Sequence, residues 1–124
     1  MLTAYQKLSS QEELTRSLGK MVLAFGHLES VLLTYLESKD VPASSKTPLG
    51  GLVKKMQANR IVDETAAFHL RFLMDQRNYF VHRVSALMNG HEIDQRDVDT
   101  FRNRIDGLTD EAEFFASGFS EVRS

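Results

Sequence analysis

Three polar side chains with the capacity for chemistry fall close together in the segment RNYFVH at residues 77–82. Histidine exchanges a proton near neutral pH, so His82 is a candidate general base. A guanidinium keeps its charge and binds phosphate through paired hydrogen bonds, so Arg77 is a candidate phosphate-binding group. Asn78 lies one helical turn before His82, which would let its amide orient the imidazole.

Arg77 occupies an unusual position on its helix. Placed at about 100° per residue, it falls in the middle of an apolar stripe. The members of that stripe are Leu70, Leu73, Met74, Phe80, Val81, Val84 and Met88. Because burying a guanidinium is costly without a carboxylate partner, we expect an acid nearby. Glu29 lies inside the apolar stripe of an earlier helix, and we predict that it approaches Arg77. The same pair has a purely structural interpretation, as a buried ion pair that fixes helix register.

His82 lies about 140° round the helix from Arg77, so the two side chains do not stack directly. A two-fold dimer that packs this helix against its copy would surround one cleft with both sets of side chains. We therefore expect a homodimer.

The elements that must position these residues are helices. Apolar residues recur in steps of three and four, and no segment alternates with period two. The pattern predicts an all-α fold, an up-and-down antiparallel bundle of four main helices in one domain, residues 1–124. The expected bounds are 11–39, a start at Pro48 capped by Thr47, 63–89 with Gly90 as the stop, and a start capped by Asp94.

Composition excludes several classes of protein. The chain has no cysteine, which rules out a disulfide scaffold and a thiolate metal site. His27, His69 and His91 lack the spacing of zinc ligands, so we expect no metal and no cofactor. No apolar run approaches the roughly 18 residues of a membrane span, and we expect a cytoplasmic protein without a membrane partner. The net charge of −2 gives no general attraction for nucleic acid. We predict no DNA partner, and RNA binding would depend on a local patch.

The C-terminal segment contains three further aromatic residues, Phe114, Phe115 and Phe119. Aromatic side chains at helical spacing usually complete a core. A partner-binding surface and a dimer contact are the alternatives.

The segment RNYFVH resembles the RNxxxH signature of the HEPN superfamily of small helical proteins. The upstream stretches LES and PLGGL also look like those of single-domain members, so the resemblance covers essentially the whole chain. Arg77 is the only arginine in the sequence that a histidine follows at this spacing. The motif coincides with the arginine whose position in the apolar stripe is anomalous.

The resemblance implies a metal-independent endoribonuclease of the toxin or phage-defence kind, with a homodimer as the active form and an antitoxin protein as a further partner. For RNA, His82 would take the proton of a ribose 2′-hydroxyl, and Arg77 would hold the scissile phosphate. Asn78 and Glu29 would be supporting residues. The alternative is a non-catalytic HEPN dimer that binds RNA, a nucleotide or a protein partner through the same cleft. A purely structural interaction domain is the third hypothesis.

Overall fold

The computed structural model describes residues 2–89 and 93–123, with side chains in the second range described as far as residue 120. Five helices account for most of these residues: α1 (Ala4–Ser9), α2 (Glu12–Ser38), α3 (Leu49–Ala58), α4 (Glu64–Met88) and α5 (Gln95–Arg123). No β-strand occurs in these two ranges, so the predicted all-α bundle is confirmed. Within them, no helix is both long and apolar enough to cross a bilayer. Gly90, the expected stop of α4, and His91 lie outside the described residues.

The core follows the apolar steps of three and four in the sequence. Apolar residues at these steps are buried along most of the length of α2, α3 and α5, among them Leu14, Met21, Phe25, Leu52, Val53, Val98, Phe101 and Ala112. The fully enclosed side chains at the centre of the core are Leu28, Leu32, Leu36, Leu49, Met56, Leu70 and Ile105. Burial of these apolar groups is the main stabilising contribution to a bundle of this kind.

The α4 helix begins as predicted, because the Asp63 side chain accepts the backbone N–H of Ala66 at 2.7 Å. Leu73 and Phe80 are buried, as the stripe requires. Val81 is not: 55% of its surface is exposed, and the prediction that it joins the core is wrong. The short α3 lies beside the first half of α4, so no described helix covers Val81.

The α2 and α5 helices run in the same direction. The amide of Gln95 contacts the side chain of Gln11 at 3.1 Å where both helices begin. Near the other end, the rings of Tyr35 and Phe119 lie 5.1 Å apart. Since an up-and-down bundle of four helices would make its first and last members antiparallel, the predicted strict alternation is wrong.

The connection between α2 and α3 explains the difference. Ser44 and Thr47 line a cavity with Gly26 and Ser30 of α2, so the connection doubles back along that helix. The hydroxyl of Tyr35 near the end of α2 donates to the backbone oxygen of Ile61, beyond α3, at 3.0 Å. The α3 helix therefore also runs parallel to α2. The sequence pattern gives helix positions but does not reveal a returning connection.

The start of α3 differs from the prediction by one residue. Pro48 is the N-cap, and the helix begins at Leu49. The hydroxyl of Thr47 instead accepts the N–H of Ser44 at 3.2 Å, within a turn closed by the Thr47 N–H and the Ser44 oxygen. Thr47 is therefore not the N-cap, because its side chain is already engaged with the preceding turn.

One helix was not expected from the periodicity. Thr3 and Gln6 form a capping box at the start of α1, and Leu8 is buried against α2. Six residues are too few to establish a period, which is why the apolar pattern gave no signal for this element.

Candidate functional site

Arg77 and Glu29 form the contact that the sequence predicts. Arg77 Nη1 lies 3.4 Å from Glu29 Oε1, joining the middle of α4 to the middle of α2. The two long side chains bridge α2 and α4 at this point. The predicted approach of Glu29 to Arg77 is confirmed.

Two further contacts hold the guanidinium. Its central carbon lies 5.4 Å from the centre of the Phe25 ring, a cation–π arrangement. Its Nη2 donates to Asn78 Oδ1 at 3.3 Å. The side chain of Arg77 is 28% exposed and that of Glu29 33%, so the pair is accessible from outside the bundle. Arg77 is fixed in place and still open to a ligand.

His82 lies apart from this pair. Its side chain is exposed, and it sits about 7 Å further along α4 and about 140° round it. Within residues 2–89 and 93–123, no hydrogen bond joins Asn78 to His82, and the Asn78 oxygen accepts from Arg77. A single chain thus brings together Arg77, Asn78 and Glu29, and it leaves His82 on the neighbouring surface.

The edge of α4 between Arg77 and His82 is uncovered. Moving round the helix from Arg77, the next side chains are Val81 and then Asn78, and both are exposed. Val81 is therefore part of the candidate site's surface and not of the core. The sequence pattern did not predict the exposure of Val81, because that exposure depends on the short length of α3.

Glu29 also borders a cavity of about 160 Å³, whose lining does not include Arg77. Hydroxyl groups of Ser30, Ser44, Ser45 and Thr47 contribute to its lining. The space is below the usual size of a small-molecule pocket, which begins near about 300 Å³.

Phe25 is the functional neighbour that sequence reasoning did not identify. It lies one helical turn before Glu29 on the same face of α2, and that spacing places ring and carboxylate on the same guanidinium. Since Glu29 was identified from the sequence, Phe25 one turn before it could have been identified as well.

The described histidines, His27, His69 and His82, are not gathered into a metal site. Among the described residues, no group of three or more histidine or acidic side chains is arranged to hold a metal ion. His69 instead lies beside the ring of Phe115, with 6.1 Å between ring centres.

No family model matches the chain, and no curated protein and no solved structure is significantly similar to it. The HEPN resemblance therefore depends on the motif of residues 77–82 and on its place in a helical bundle.

Proposed function

We propose that the chain is a metal-independent endoribonuclease of the HEPN toxin or defence type, acting in the cytoplasm as a homodimer. In this proposal Arg77 and His82 are catalytic, and Asn78 and Glu29 are positioning residues. RNA is the substrate, and an antitoxin protein is a further partner.

The proposal is supported most by the arrangement round Arg77. A guanidinium carries five N–H groups, and its described hydrogen bonds, to Glu29 and Asn78, involve two of its three nitrogens. The donors that remain suit a phosphate oxygen. Because the carboxylate and the Phe25 ring already fix the side chain, it loses little rotamer freedom when a phosphate binds.

The exposed edge of α4 provides a path between the two catalytic residues. An RNA strand lying across Val81 and Asn78 would meet Arg77 on one side and His82 on the other. His82 would remove the proton of a 2′-hydroxyl, and the oxygen would attack the adjacent phosphorus. The bond to the 5′-oxygen then breaks, leaving a 2′,3′-cyclic phosphate and a 5′-hydroxyl that takes a proton from water. Arg77 would offset the negative charge that develops on the phosphate.

One observation favours the non-catalytic alternative. In the described part of the chain, the imidazole of His82 has no hydrogen-bond partner that fixes its tautomer or orientation. A general base is usually oriented in this way. The second candidate function is therefore RNA binding across the same edge of α4, through Arg77 and without cleavage.

The two functions differ in a cleavage assay. Purified protein is incubated with several RNAs in EDTA, and product ends are analysed for the 2′,3′-cyclic phosphate. The proposal predicts cleavage by the parent chain and its loss in Arg77→Ala and His82→Ala. Arg96→Ala and His27→Ala alter exposed residues away from this edge and are the matched controls.

Cleavage that persists in His82→Ala would contradict the catalytic proposal. Binding of RNA by well-folded parent protein without cleavage would favour the second function. Absence of both RNA cleavage and RNA binding would exclude both proposed functions.

A further inference from the structure

The outer face of the α4–α5 layer carries an aromatic stripe, formed by Phe68, Phe72 and Tyr79 of α4 and Phe114 of α5. Phe68 is 64% exposed and Phe114 is 74% exposed, with the other two about half exposed. A groove of about 670 Å³ runs between Phe68, Phe72 and Phe114. Several neighbouring aromatic rings exposed on one face of a small protein indicate an interaction surface.

The aromatic stripe is distinct from the candidate site. On α4, Phe72 and Tyr79 lie about 140° to 160° round the helix from Arg77, on the side opposite to Val81 and Asn78. A partner bound to the stripe would leave Arg77, Val81 and Asn78 open and would come near His82 alone, which lies one turn after Tyr79.

The charged residues beside the stripe are self-complementary on α5. Arg104 and Glu111 line a second groove, beside Phe72 and Tyr79, and lie two turns apart on either side of Gly107 and Leu108. Within the described residues neither makes an ion pair. If α5 packed antiparallel to its copy about the point between Gly107 and Leu108, each Arg104 would face the partner's Glu111.

The same relation holds on α4. Phe72 and Tyr79 are also seven residues apart, and their midpoint lies between Asp75 and Gln76. An antiparallel copy of α4 centred there would pair each Phe72 with the partner's Tyr79. Aromatic pairs of this kind contribute beyond the area that they bury.

The two centres lie at the same height in the bundle. Gln76 of α4 and Gly107 of α5 line one groove, together with Arg104 and Glu111. A single two-fold axis across both helices therefore satisfies the α4 pairs and the α5 pairs at once. Gly107 has open space where a side chain would be, so two α5 backbones can approach closely at that axis.

We infer that the aromatic stripe is the interface of a two-fold homodimer, in which α4 and α5 each pack antiparallel to their copies about Gln76 and Gly107. This specifies the surface of the proposed homodimer and rests on that part of the proposed function, but not on RNA cleavage. This interface is not the one shared cleft expected from the sequence: Arg77 lies on the other side of α4, and His82 lies at the margin of the interface, one turn after Tyr79.

Single cysteines test the position of the axis, since the natural chain contains none. Gly107→Cys places two thiols next to each other at the axis, within the short Cα separation that a disulfide needs. Gly118→Cys is the matched control: it lies on the same face of α5, where its two copies would be about 30 Å apart. Mild oxidation should give a covalent dimer of the first variant and not of the second.

Charge reversal tests the register. Arg104→Glu and Glu111→Arg should each raise the dimer dissociation constant about tenfold or more, because like charges then face each other. The double variant should restore most of the affinity, which also shows that the variants fold. Glu113→Arg, on the α2 side of α5, should leave the constant unchanged.

Both tests use sedimentation equilibrium of the full chain, with helicity checked by circular dichroism. A parent chain that stays monomeric, equal cross-linking at both glycine positions, or a double variant no better than the single ones would overturn the inference. RNA cleavage is measured separately, so a cleaving protein without this interface would overturn the interface alone.

Discussion

Side chains on the two sides of α4 lie in opposite environments. On one side the charged Arg77 is drawn into the bundle and meets a carboxylate, an aromatic ring and an amide of the same chain. On the other, Phe68, Phe72 and Tyr79 remain in solvent although burial would stabilise them. A polar group needs partners before it can be buried, whereas exposed aromatic rings indicate a partner outside the chain. The first side is a candidate ligand site and the second a candidate interface.

The largest expected effect comes from the face of α4 that packs in the core. Leu73→Ala should lower the free energy of unfolding by about 3 kcal/mol, because it leaves a cavity at a buried position. Val81→Ala, at the exposed edge, should change it by less than about 0.5 kcal/mol. Urea denaturation measures both. Equal losses would show that Val81 is covered after all.

An intermediate effect is expected from the ion pair. Arg77→Met should cost about 1 kcal/mol of stability, since Glu29 loses its cation, with the value reduced by solvent screening at this partly exposed site. Glu29→Gln in the Arg77→Met background should then cost almost nothing more. Arg71→Met, at an exposed position of the same helix, is the control. Additive losses from Arg77→Met and Glu29→Gln in a double-mutant cycle would contradict a direct interaction.

The smallest expected effect comes from two glycine substitutions, which distinguish helix stability from dimer formation. Gly107→Ala and Gly19→Ala both fill open space in helix interiors, and each should stabilise the folded chain by about 0.5–1 kcal/mol. Only Gly107→Ala should weaken the dimer, because its methyl group lies at the proposed two-fold axis. Thermal unfolding at low concentration and sedimentation equilibrium measure the two quantities. An unchanged dimer dissociation constant in Gly107→Ala would show that the two-fold axis does not pass through this position.

Much of the fold was predictable because amphipathic helices leave a strong periodic signal. The buried stripes of α2 and α5 and the N-cap of α4 follow from local sequence. The parallel course of α2 and α5 was not predictable, because it depends on how residues 39–48 return along α2. The exposure of Val81 depends on the length of α3, which is a property of the whole bundle.

The candidate site was predictable in part for a similar reason. Arg77 and Glu29 each interrupt an apolar stripe, and their opposite charges form an ion pair at the partly exposed edge between α2 and α4. The predicted help of Asn78 to His82 relied on spacing alone. Spacing shows which side chains are neighbours, but Asn78 lies beside Arg77 as well, and the guanidinium is the stronger donor.

The proposed role of Arg77 is to bind phosphate on an open edge of α4. Its most direct test is the affinity for a short 2′-O-methyl RNA in EDTA, measured by fluorescence anisotropy, since such an RNA can bind but lacks the attacking hydroxyl. Arg77→Ala should weaken binding about tenfold or more, the usual loss for a hydrogen bond to a charged group, and Arg96→Ala should leave it unchanged. Equal affinity of the parent chain and Arg77→Ala would contradict the account.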